Sequence, residues 1–472
     1  MQTRLQKLVL LACAASVLSV LCIGNAFGFQ PTFPTSTTAT LSDTAGATLL
    51  LPYFEVDLAN PTGMDTIFTI NNMGVTGFSG SNANLQGPTA ILAHVVIWSD
   101  LGVPVFNFNV YLTGFDTQLI DMRAVLNGTL PRTASAGQDP TDTISPHGTF
   151  SQDINFASCN TGVYTPPINS YARLPPPLAL GAAQINNLQT SLTGQASTNV
   201  SGMCAGVNHG DNVARGYVTV DTVNNCTPRF PGDVGYFGSG GTGDATNQFQ
   251  MTGEVFYYDQ LHAIARGGNL VHIHASGTDT LTSTSGGYTF YGAFDSFTAT
   301  DNRQPLPTNF GARFVNGNFT LGTIPTPTSP AWGFPPLTPP LGNTSLIVWR
   351  DPKSTPAYFT CGVPPAWYPL SQEGVVEFDE QEHAQALNSV TGFGAATQVV
   401  TVGGSGVPVT YTSGWLYMDL NSIVTGQVSG QTDAAAEQAW VQVLEQSGNR
   451  IFNLMHNAQA LDSGTKASHT VP

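Results

Sequence analysis

Apolar and polar residues alternate with a period of two along most of this chain. Clear examples are residues 65–72 (DTIFTINN), 105–112 (VFNFNVYL) and 414–421 (GWLYMDLN). Successive side chains of a β-strand point to opposite faces, so this alternation predicts strands with one buried and one solvent-facing side. The same pattern predicts further strands at residues 90–100, 216–222, 253–258, 270–275, 287–294, 345–351, 374–378 and 439–445.

Helical periodicity is rare in comparison. The best candidate is residues 177–192, which begin with Pro177 and carry apolar Leu178, Ile185, Leu188 and Leu192. Gly194 follows, and proline at the start with glycine just beyond the end is typical of a helix. The sequence therefore predicts an all-β fold with one isolated helix.

An internal similarity indicates how the strands are grouped. With a shift of 346 residues, residues 93–116 align without a gap on residues 439–462, with six identities that include Phe106 and Phe452. Both segments read as strand, glycine-containing turn and strand. We interpret them as related hairpins in two antiparallel β-sandwich modules, immunoglobulin-like or jelly-roll in topology, because the period is too long for a solenoid.

Proline- and glycine-rich stretches mark the loops and boundaries. Residues 324–340 contain seven prolines, which indicates an extended excursion rather than a strand. The predicted organisation is listed in chain order: a signal peptide at 1–28, a first module at 40–155, a cysteine-bearing connecting segment at 156–245, a second module at 246–462 and a loose tail at 463–472.

The chain begins with a pattern typical of export. Arg4 and Lys7 form a basic region, residues 8–23 are apolar, and Ala26-Phe27-Gly28 has the small-x-small pattern of a cleavage site. We expect cleavage before Phe29. The alternative is a membrane anchor, but the apolar run is shorter than the roughly 20 residues that span a bilayer. No other apolar run approaches that length, so we expect no membrane span in the mature chain.

The charge of the chain limits the kinds of partner that it can bind. Charged residues make up 9% of the chain, against about 25% in a typical soluble domain. The net charge is −16, and removing residues 1–28, with Arg4 and Lys7 and no acid, makes it −18. An acidic surface repels phosphate backbones, so we expect no nucleic-acid partner. No specific cofactor is identified, although the charge favours a divalent cation such as calcium.

Four cysteines remain after the predicted cleavage: Cys159, Cys204, Cys226 and Cys361. An even number in an exported chain predicts two disulfides, for which three pairings exist. Proximity along the chain favours Cys159–Cys204 with Cys226–Cys361, and the other pairings stay open. A zinc site is disfavoured because no two of these cysteines have C-x2-C spacing.

Four sequence blocks carry a resemblance to a known group of proteins. They are residues 49–58 (LLLPYFEVDL), 93–115 (AHVVIWSDLGVPVFNFNVYLTGF), 209–221 (HGDNVARGYVTVD), and 345–351 (SLIVWRD) together with Trp367-Tyr368-Pro369-Leu370. In these blocks the chain resembles an uncharacterised group of exported bacterial β-rich proteins. The resemblance implies export and a shared β-rich fold, and it implies no activity.

His272 and His274 form the most metal-like feature. Side chains at positions i and i+2 of a strand project from one face, so both imidazoles could meet one ion. A zinc site needs a third ligand, for which His262 and His94 are candidates. The alternative, which we favour, is that both are half-exposed strand histidines without a metal.

Two further polar clusters have a structural and a functional interpretation. His209-Gly210-Asp211 reads as a histidine–carboxylate pair or, in the interpretation we favour, as a loop anchor. The densest acidic run could bind calcium through carboxylates or form a solvated edge strand and loop, where charge discourages edge pairing. The run consists of Glu373, Glu377, Asp379, Glu380 and Glu382 with His383.

Local catalytic signatures are missing from the sequence. It contains no G-x-S-x-G, no H-E-x-x-H and no P-loop. Residues 235–243 (GYFGSGGTG) are rich in glycine, but they lead into no predicted helix whose N-terminus could bind phosphate, so we interpret them as a loop. Tryptophans stand on predicted strands, where an aromatic row could stack on sugars but a core position is the usual role. These tryptophans are Trp98, Trp349, Trp415 and Trp440.

Two hypotheses about function follow. The first is an exported, non-catalytic structural or ligand-binding protein at the cell surface or outside the cell, in an extracellular, periplasmic or outer-surface location with a surface or matrix partner. The alternative is an exported metal-dependent hydrolase whose site is assembled from loops near His272 and His274. The missing catalytic signatures favour the first, although sandwich enzymes often distribute a site over loops.

Overall fold

The computed structural model describes residues 44–73, 75–77, 86–88, 91–112, 116–131, 180–224, 227–238, 241–262, 264–275, 289–291, 303–316, 341–351, 357–421, 438–447 and 453–461. The predicted signal peptide, the proline-rich stretch at 324–340 and the predicted tail lie outside these residues. All of these described residues belong to one compact unit.

The chain is all-β, as the alternation predicts. We call residues 44–275 the first half. Its strands are β1 (Thr48–Asp57), β2 (Asp65–Asn72), β3 (Val75–Gly77), β4 (Gln86–Pro88), β5 (Ile91–Ser99), β6 (Pro104–Leu112), β7 (Thr117–Asp121), β8 (Val213–Val223), β9 (Met251–Thr252), β10 (Glu254–Asp259), β11 (Ile264–Asn269) and β12 (Val271–Ile273).

The second half, residues 289–461, supplies the remaining strands. They are β13 (Asn309–Val315), β14 (Leu341–Arg350), β15 (Gly374–Phe378), β16 (Ala384–Ala386), β17 (Thr397–Thr401), β18 (Ser413–Asp419), β19 (Ala439–Ser447), β20 (Asn453–Asn457) and β21 (Gln459–Ala460). The described helices are α1 (Met122–Leu126), α2 (Ala182–Leu192) and a 3₁₀ turn at Thr198–Val200, all in the first half.

The strands form four larger antiparallel sheets. In the first half, sheet I has the order β12-β1-β8-β5-β6, and sheet II has the order β11-β10-β2-β7, with β9 also on β2. In the second half, sheet III has the order β16-β15-β18-β13-β21, and sheet IV has the order β17-β14-β19-β20. A short ribbon pairs β3 with β4.

Pairing in the first half crosses the predicted module boundaries. Strand β8 lies in the segment at 156–245 that we expected to connect two modules, yet it pairs with both β1 and β5. Strands β10 to β12 lie beyond residue 245 and complete sheets I and II. The sheets of the first half therefore extend to residue 273.

Sheet I is buried on both faces. Every residue of β5 is buried, and successive side chains enter two different apolar clusters. Ile97 packs in the cluster that holds Val255 of sheet II, whereas Trp98 packs in the cluster that holds Trp349 of sheet IV. The expectation of one solvent-facing side is wrong for β5, because the second half covers its other face. The stacked rings of Trp98 and Tyr217, 5.5 Å apart, lie at this junction.

The strand predictions hold with one exception. Predicted strands at 65–72 and 374–378 coincide with β2 and β15. Helix α2 ends at Leu192 as predicted, but it begins at Ala182 rather than at residue 177, and α1 is a second helix that the sequence analysis did not predict. The exception is the prediction at 287–294, where the described residues 289–291 form a turn. The consecutive residues Phe290 and Tyr291 are both buried, whereas on a half-exposed strand they would face opposite sides. The ring of Phe290 stacks on Trp349.

Both segments of the internal similarity form hairpins, which confirms that part of the interpretation. Strand β6 is an edge of sheet I and β20 is an edge of sheet IV, each beside its hairpin partner. The registers differ: Ile97 lies opposite Phe106, whereas the corresponding Val443 lies opposite His456. Phe106 is only partly buried, and Phe452 lies outside the described residues.

A buried ionic network joins sheet I to loops of both halves. The Asp221 carboxylate accepts hydrogen bonds from the Tyr236 and Tyr291 hydroxyls at 2.6 and 2.8 Å and from Arg303 Nε at 3.3 Å. The Thr48 hydroxyl donates to the same carboxylate. The Asp221 and Arg303 side chains are almost completely enclosed, so this ion pair fixes the loops and faces no solvent.

Candidate functional site

A cavity of about 600 Å³ opens between the two halves, where sheet I and its adjoining loops face strand β17 and loops of the second half. This volume lies in the range of about 300–1,000 Å³ that is usual for small-molecule sites. Its lining in the first half consists of Tyr53, Glu55, Asp100, Leu101, Val207, His209 and Arg215. Its lining in the second half consists of Pro364, Tyr368, Pro369, Gly394, Ala395, Thr397, Gln398 and Val399.

Asp100 is the most deeply buried acid of the cavity. It follows the end of β5, and 5% of its side chain is exposed. Its Oδ1 atom accepts a hydrogen bond from the Val207 backbone N–H at 3.0 Å, and its Oδ2 atom lies 3.4 Å from His209 Nε2. Burial raises the pKa of Asp100, although its contacts with His209 and Val207 act in the opposite direction. The His209 imidazole is 45% exposed and forms the outer part of this pair.

The loop at 204–209 reaches Asp100 because residue 206 is glycine. A Cβ atom at Gly206 would lie 2.6 Å from Asp100 Oδ1 and 3.2 Å from the Ser191 carbonyl oxygen. Both distances are shorter than normal contacts, so a side chain here would displace the loop. Gly206 thus permits the close approach that lets Val207 and His209 bind the carboxylate.

Arg215 is the permanently charged cation of the cavity lining. Its Nη1 and Nη2 atoms donate to the Asp211 carboxylate at 2.9 and 2.5 Å, and Nη2 lies 3.9 Å from Glu55 Oε1. Burial alone would lower the pKa of Arg215, but the hydrogen bonds to Asp211 outweigh this effect and raise the pKa above its usual value. The same hydrogen bonds lower the pKa of Asp211 to about 2. Asp211 therefore balances most of the charge of Arg215.

Tyr53 and Glu55 reach the cavity from β1. Two residues apart on one strand, they share a face, and the Tyr53 hydroxyl donates to Glu55 Oε2 at 3.0 Å. The Tyr53 backbone carbonyl accepts from the Tyr257 hydroxyl of sheet II at 2.6 Å, which fixes this part of β1. Burial, and then the charge of Glu55, raise the pKa of Tyr53 well above its usual value. Tyr53 is therefore a neutral donor at physiological pH.

A disulfide and a pair of backbone hydrogen bonds hold the two sides of the cavity together. Cys204 is bonded to Cys361, with 5.0 Å between their Cα atoms. Cys204 and Phe359 also exchange backbone hydrogen bonds of 2.9 Å in both directions. The pairing that proximity favoured is therefore wrong, because the fold brings together cysteines that are distant in sequence. Cys159 and Cys226 lie outside the described residues.

The structure separates His272 and His274 from this cavity. His272 is buried on β12, where its Nε2 atom accepts from the Gly253 N–H at 3.2 Å. Nδ1 therefore carries the proton and donates to the Thr44 carbonyl at 2.9 Å. His274 Nε2 lies 2.9 Å from the Thr44 hydroxyl. Both nitrogens of His272 are thus engaged within the protein, and Thr44 contacts both imidazoles. The expectation that His272 is half-exposed is wrong, because the residue is buried.

The other candidate metal ligands are engaged in separate places. The two ring nitrogens of the buried His94 form hydrogen bonds of 2.9 Å, one with the Asn109 side chain and one with the Arg229 carbonyl. His262 Nδ1 lies 2.6 Å from Asp259 Oδ2. Across the described ranges, no cluster of three or more histidine, cysteine or acidic residues is arranged to hold a metal ion.

His209 and Asp211 have different hydrogen-bond partners. His209 lies against Asp100, while Asp211 binds Arg215. The favoured interpretation as a loop anchor is consistent with this arrangement, but the sequence did not indicate that both partners belong to one cavity.

The acidic run is used to fix local turns. The buried Glu377 carboxylate accepts from the Thr410 and Tyr411 backbone N–H groups at 3.0 to 3.2 Å. The Asp379 carboxylate accepts from the backbone N–H of His383 at 2.9 Å and lies 2.8 Å from its Nδ1 atom. These carboxylates therefore already have donors within the chain.

Tryptophan positions divide into core and surface. Trp98, Trp349 and Trp440 are buried, as expected for tryptophans on strands. Trp415 on β18 is 48% exposed and lies opposite Arg313 and Phe378 of the neighbouring strands.

Sequence reasoning missed most of the cavity residues. Tyr53, Glu55, Asp100, Arg215 and Tyr368 were not candidates, because each stands alone in its segment and no catalytic motif contains it. All five nevertheless lie within the four blocks that carry the resemblance to exported β-rich proteins. The meeting of four distant blocks at one cavity is the signal that could have identified them.

None of the helices in the described residues is long and apolar enough to span a membrane. The chain matches no protein-family model, and no curated protein or solved structure is significantly similar to it.

Proposed function

We propose that this chain is an exported, non-catalytic binding protein that acts at the cell surface or outside the cell. In this proposal, the cavity beside Asp100 holds a small organic ligand.

The observation that carries the proposal is the set of partly buried charged groups that surround open space. Glu55, Asp100 and Arg215 are removed from bulk water to a large extent, yet they line a cavity rather than a closed network. The Asp221–Arg303 pair shows the contrasting structural use of charge, because protein atoms enclose it on all sides. Burying charged groups is unfavourable, and polar groups that converge in a cavity are typical of binding sites.

The lining supports binding rather than covalent catalysis. Among the described residues that line the cavity there is no serine or cysteine. The hydroxyl group of Thr397 donates to the Pro52 carbonyl, so it is held within the protein. The hydrolase alternative near His272 and His274 gains no support, since both nitrogens of His272 bind groups of the chain.

The export part of the proposal is supported by the predicted signal peptide and by the disulfide between Cys204 and Cys361. Disulfides persist in oxidising compartments and are rare in the cytosol of most organisms.

The binding part is tested by native mass spectrometry of the full chain with a panel of amines, alcohols, carboxylic acids and monosaccharides. Val399 lies at the exposed rim of the cavity on β17, so Val399→Trp should fill the opening with little effect on the fold. The matched control is Val234→Trp, at a residue that is 86% exposed and does not belong to the lining.

We expect the wild type and Val234→Trp to bind one copy of at least one compound, and Val399→Trp to lose that binding. Equal binding by Val399→Trp would show that the compound sits elsewhere and would contradict the proposal. Binding of no compound by any of the three proteins would also contradict it.

A further inference from the structure

We infer that the ligand of this cavity is a small organic cation, with a primary ammonium or guanidinium group on an apolar body. This inference rests on the proposed function and specifies the ligand that the cavity selects.

The first observation is that the hydroxyl donors of the lining are directed into the protein. Each hydroxyl group, and one N–H of the Gln398 amide, donates to an acceptor of the chain and is therefore not offered to a ligand. The pairs are Tyr53 to the Glu55 carboxylate, Tyr368 to the Leu101 carbonyl, Thr397 to the Pro52 carbonyl and Gln398 to the Gly392 carbonyl.

The positive group of the cavity is also engaged. Arg215 forms two hydrogen bonds with Asp211 and a third, at 3.4 Å, with the Val213 carbonyl. An incoming anion would have to compete with the Asp211 carboxylate, which already occupies the guanidinium in a bidentate geometry. Arg215 is therefore a poor anion receptor in this arrangement.

Acceptor capacity, in contrast, remains open on Glu55. Its Oε2 atom accepts from Tyr53, whereas its Oε1 atom makes no hydrogen bond with any described residue and lies 3.9 Å from Arg215. The side chain is 24% exposed, so this oxygen is accessible from the cavity that it lines. An N–H donor of a ligand would complete its coordination.

The acidic side chains around the cavity outnumber the basic ones. Glu55, Asp100 and Asp211 are three carboxyl groups, against the guanidinium of Arg215 and the imidazole of His209. The whole chain carries −16. A negative field concentrates cations in a cleft and repels anions.

Apolar walls define the rest of the ligand. Leu101, Val207 and Val399 contribute aliphatic surface, and Tyr368 contributes an aromatic ring. A cation gains from contact with an aromatic face, and an apolar body gains from burial against aliphatic side chains. A sugar fits less well, because its hydroxyl oxygens need hydrogen-bond donors, and the hydroxyl groups of the lining already donate to acceptors of the chain.

Isothermal titration calorimetry with three compounds of one shape tests the inference: benzylammonium, benzyl alcohol and benzoate. We expect benzylammonium to bind at least tenfold more tightly than benzyl alcohol, and benzoate to show no binding. Glu55→Gln replaces an acceptor with a donor and should reduce benzylammonium affinity at least tenfold. Glu254→Gln, at an exposed glutamate of β10, is the matched control and should leave it unchanged.

The outcomes separate this inference from the proposed function. If benzoate or benzyl alcohol bound as tightly as benzylammonium, and Val399→Trp abolished that binding, the preference for a cation would be refuted. The proposed binding site would be unaffected by that result. Absence of benzylammonium binding would overturn the inference, while the broader compound panel decides the proposed function independently. Near-ultraviolet circular dichroism of Glu55→Gln establishes that the variant is folded. If it is not, Glu55→Asp, which withdraws the carboxylate but keeps its charge, should still weaken benzylammonium binding, and unchanged affinity would overturn the inference.

Discussion

The Tyr368 hydroxyl donates a 2.7 Å hydrogen bond to the Leu101 carbonyl, and this contact joins residues 267 positions apart at the wall of the cavity. Leu101 belongs to the turn that follows β5, and Tyr368 belongs to the loop that the disulfide ties to Cys204. The shape of the cavity therefore depends on a contact between the two halves of the chain.

Tyr368→Phe tests that contact. Removing the hydroxyl leaves the Leu101 carbonyl without this donor, so the free energy of unfolding should fall by about 0.5–1.5 kcal/mol. Tyr411→Phe is the matched control, because Tyr411 is also half-buried and its hydroxyl makes no hydrogen bond within the described part of the chain. Urea denaturation of both variants measures the difference, and equal stability of the two would contradict the role of the Tyr368 hydroxyl.

The disulfide provides a second test. Cys204 and Cys361 are 157 residues apart, and closing such a long loop should stabilise the folded state by about 2–5 kcal/mol. We expect the Cys204→Ala/Cys361→Ala double variant to lose that amount in denaturant unfolding under oxidising conditions. The double variant isolates this bridge from Cys159 and Cys226, which reductant would also affect. An unchanged unfolding midpoint would mean that this bridge does not form.

The alternation of side chains was sufficient to predict individual strands but not their surroundings. The period of two at residues 65–72 is a local property and identified β2 to the residue. At β5 the same pattern predicted one solvent-facing side, whereas Trp98 is buried against Tyr217 and the second half. Which face meets another sheet depends on long-range packing, and the local sequence does not encode it.

The candidate site illustrates the same limit. His272 and His274 were candidate ligands because they are two residues apart on a predicted strand, yet their ring nitrogens bind Thr44 and Gly253. Asp100 and His209 are separated by 109 residues and meet only through the fold. Motif searches detect chemistry that is local in sequence, so a cavity assembled from single residues of distant blocks escapes them.

Asp100 and Asp211 should give opposite pH dependences of stability. Burial raises the folded-state pKa of Asp100 above 3.8, so its contribution to stability is complete below that value and is lost as the pH rises through the raised pKa. Arg215 lowers the pKa of Asp211 to about 2, so its contribution is present above 3.8 and is lost as the pH falls towards 2.

Relative to wild type, Asp100→Asn should therefore become more stable as the pH rises from about 3 to about 7, and Asp211→Asn should become less stable. Urea unfolding at a series of pH values measures both trends. Trends of the same sign for the two variants would refute the burial of Asp100 or the ion pair of Asp211.

The buried network around Asp221 predicts a large loss of stability. Asp221→Asn removes the charge that faces Arg303, whose side chain is 1% exposed. Leaving a buried cation without its partner typically costs about 3–5 kcal/mol. Glu254→Gln on the exposed surface should change the free energy of unfolding by less than about 0.5 kcal/mol. Similar losses for both variants would show that the network does not stabilise the fold.

The most direct test of the binding cavity is hydrogen exchange, measured by mass spectrometry, of the full chain with the tightest-binding compound of the panel. We predict slower exchange on ligand addition at residues 204–215, 359–370 and 394–399, which supply or support the lining, and unchanged exchange in β19 and β20. Val399→Trp should show no such protection. Protection elsewhere in the chain, with no change in these three segments, would contradict the assignment of the cavity as the binding site.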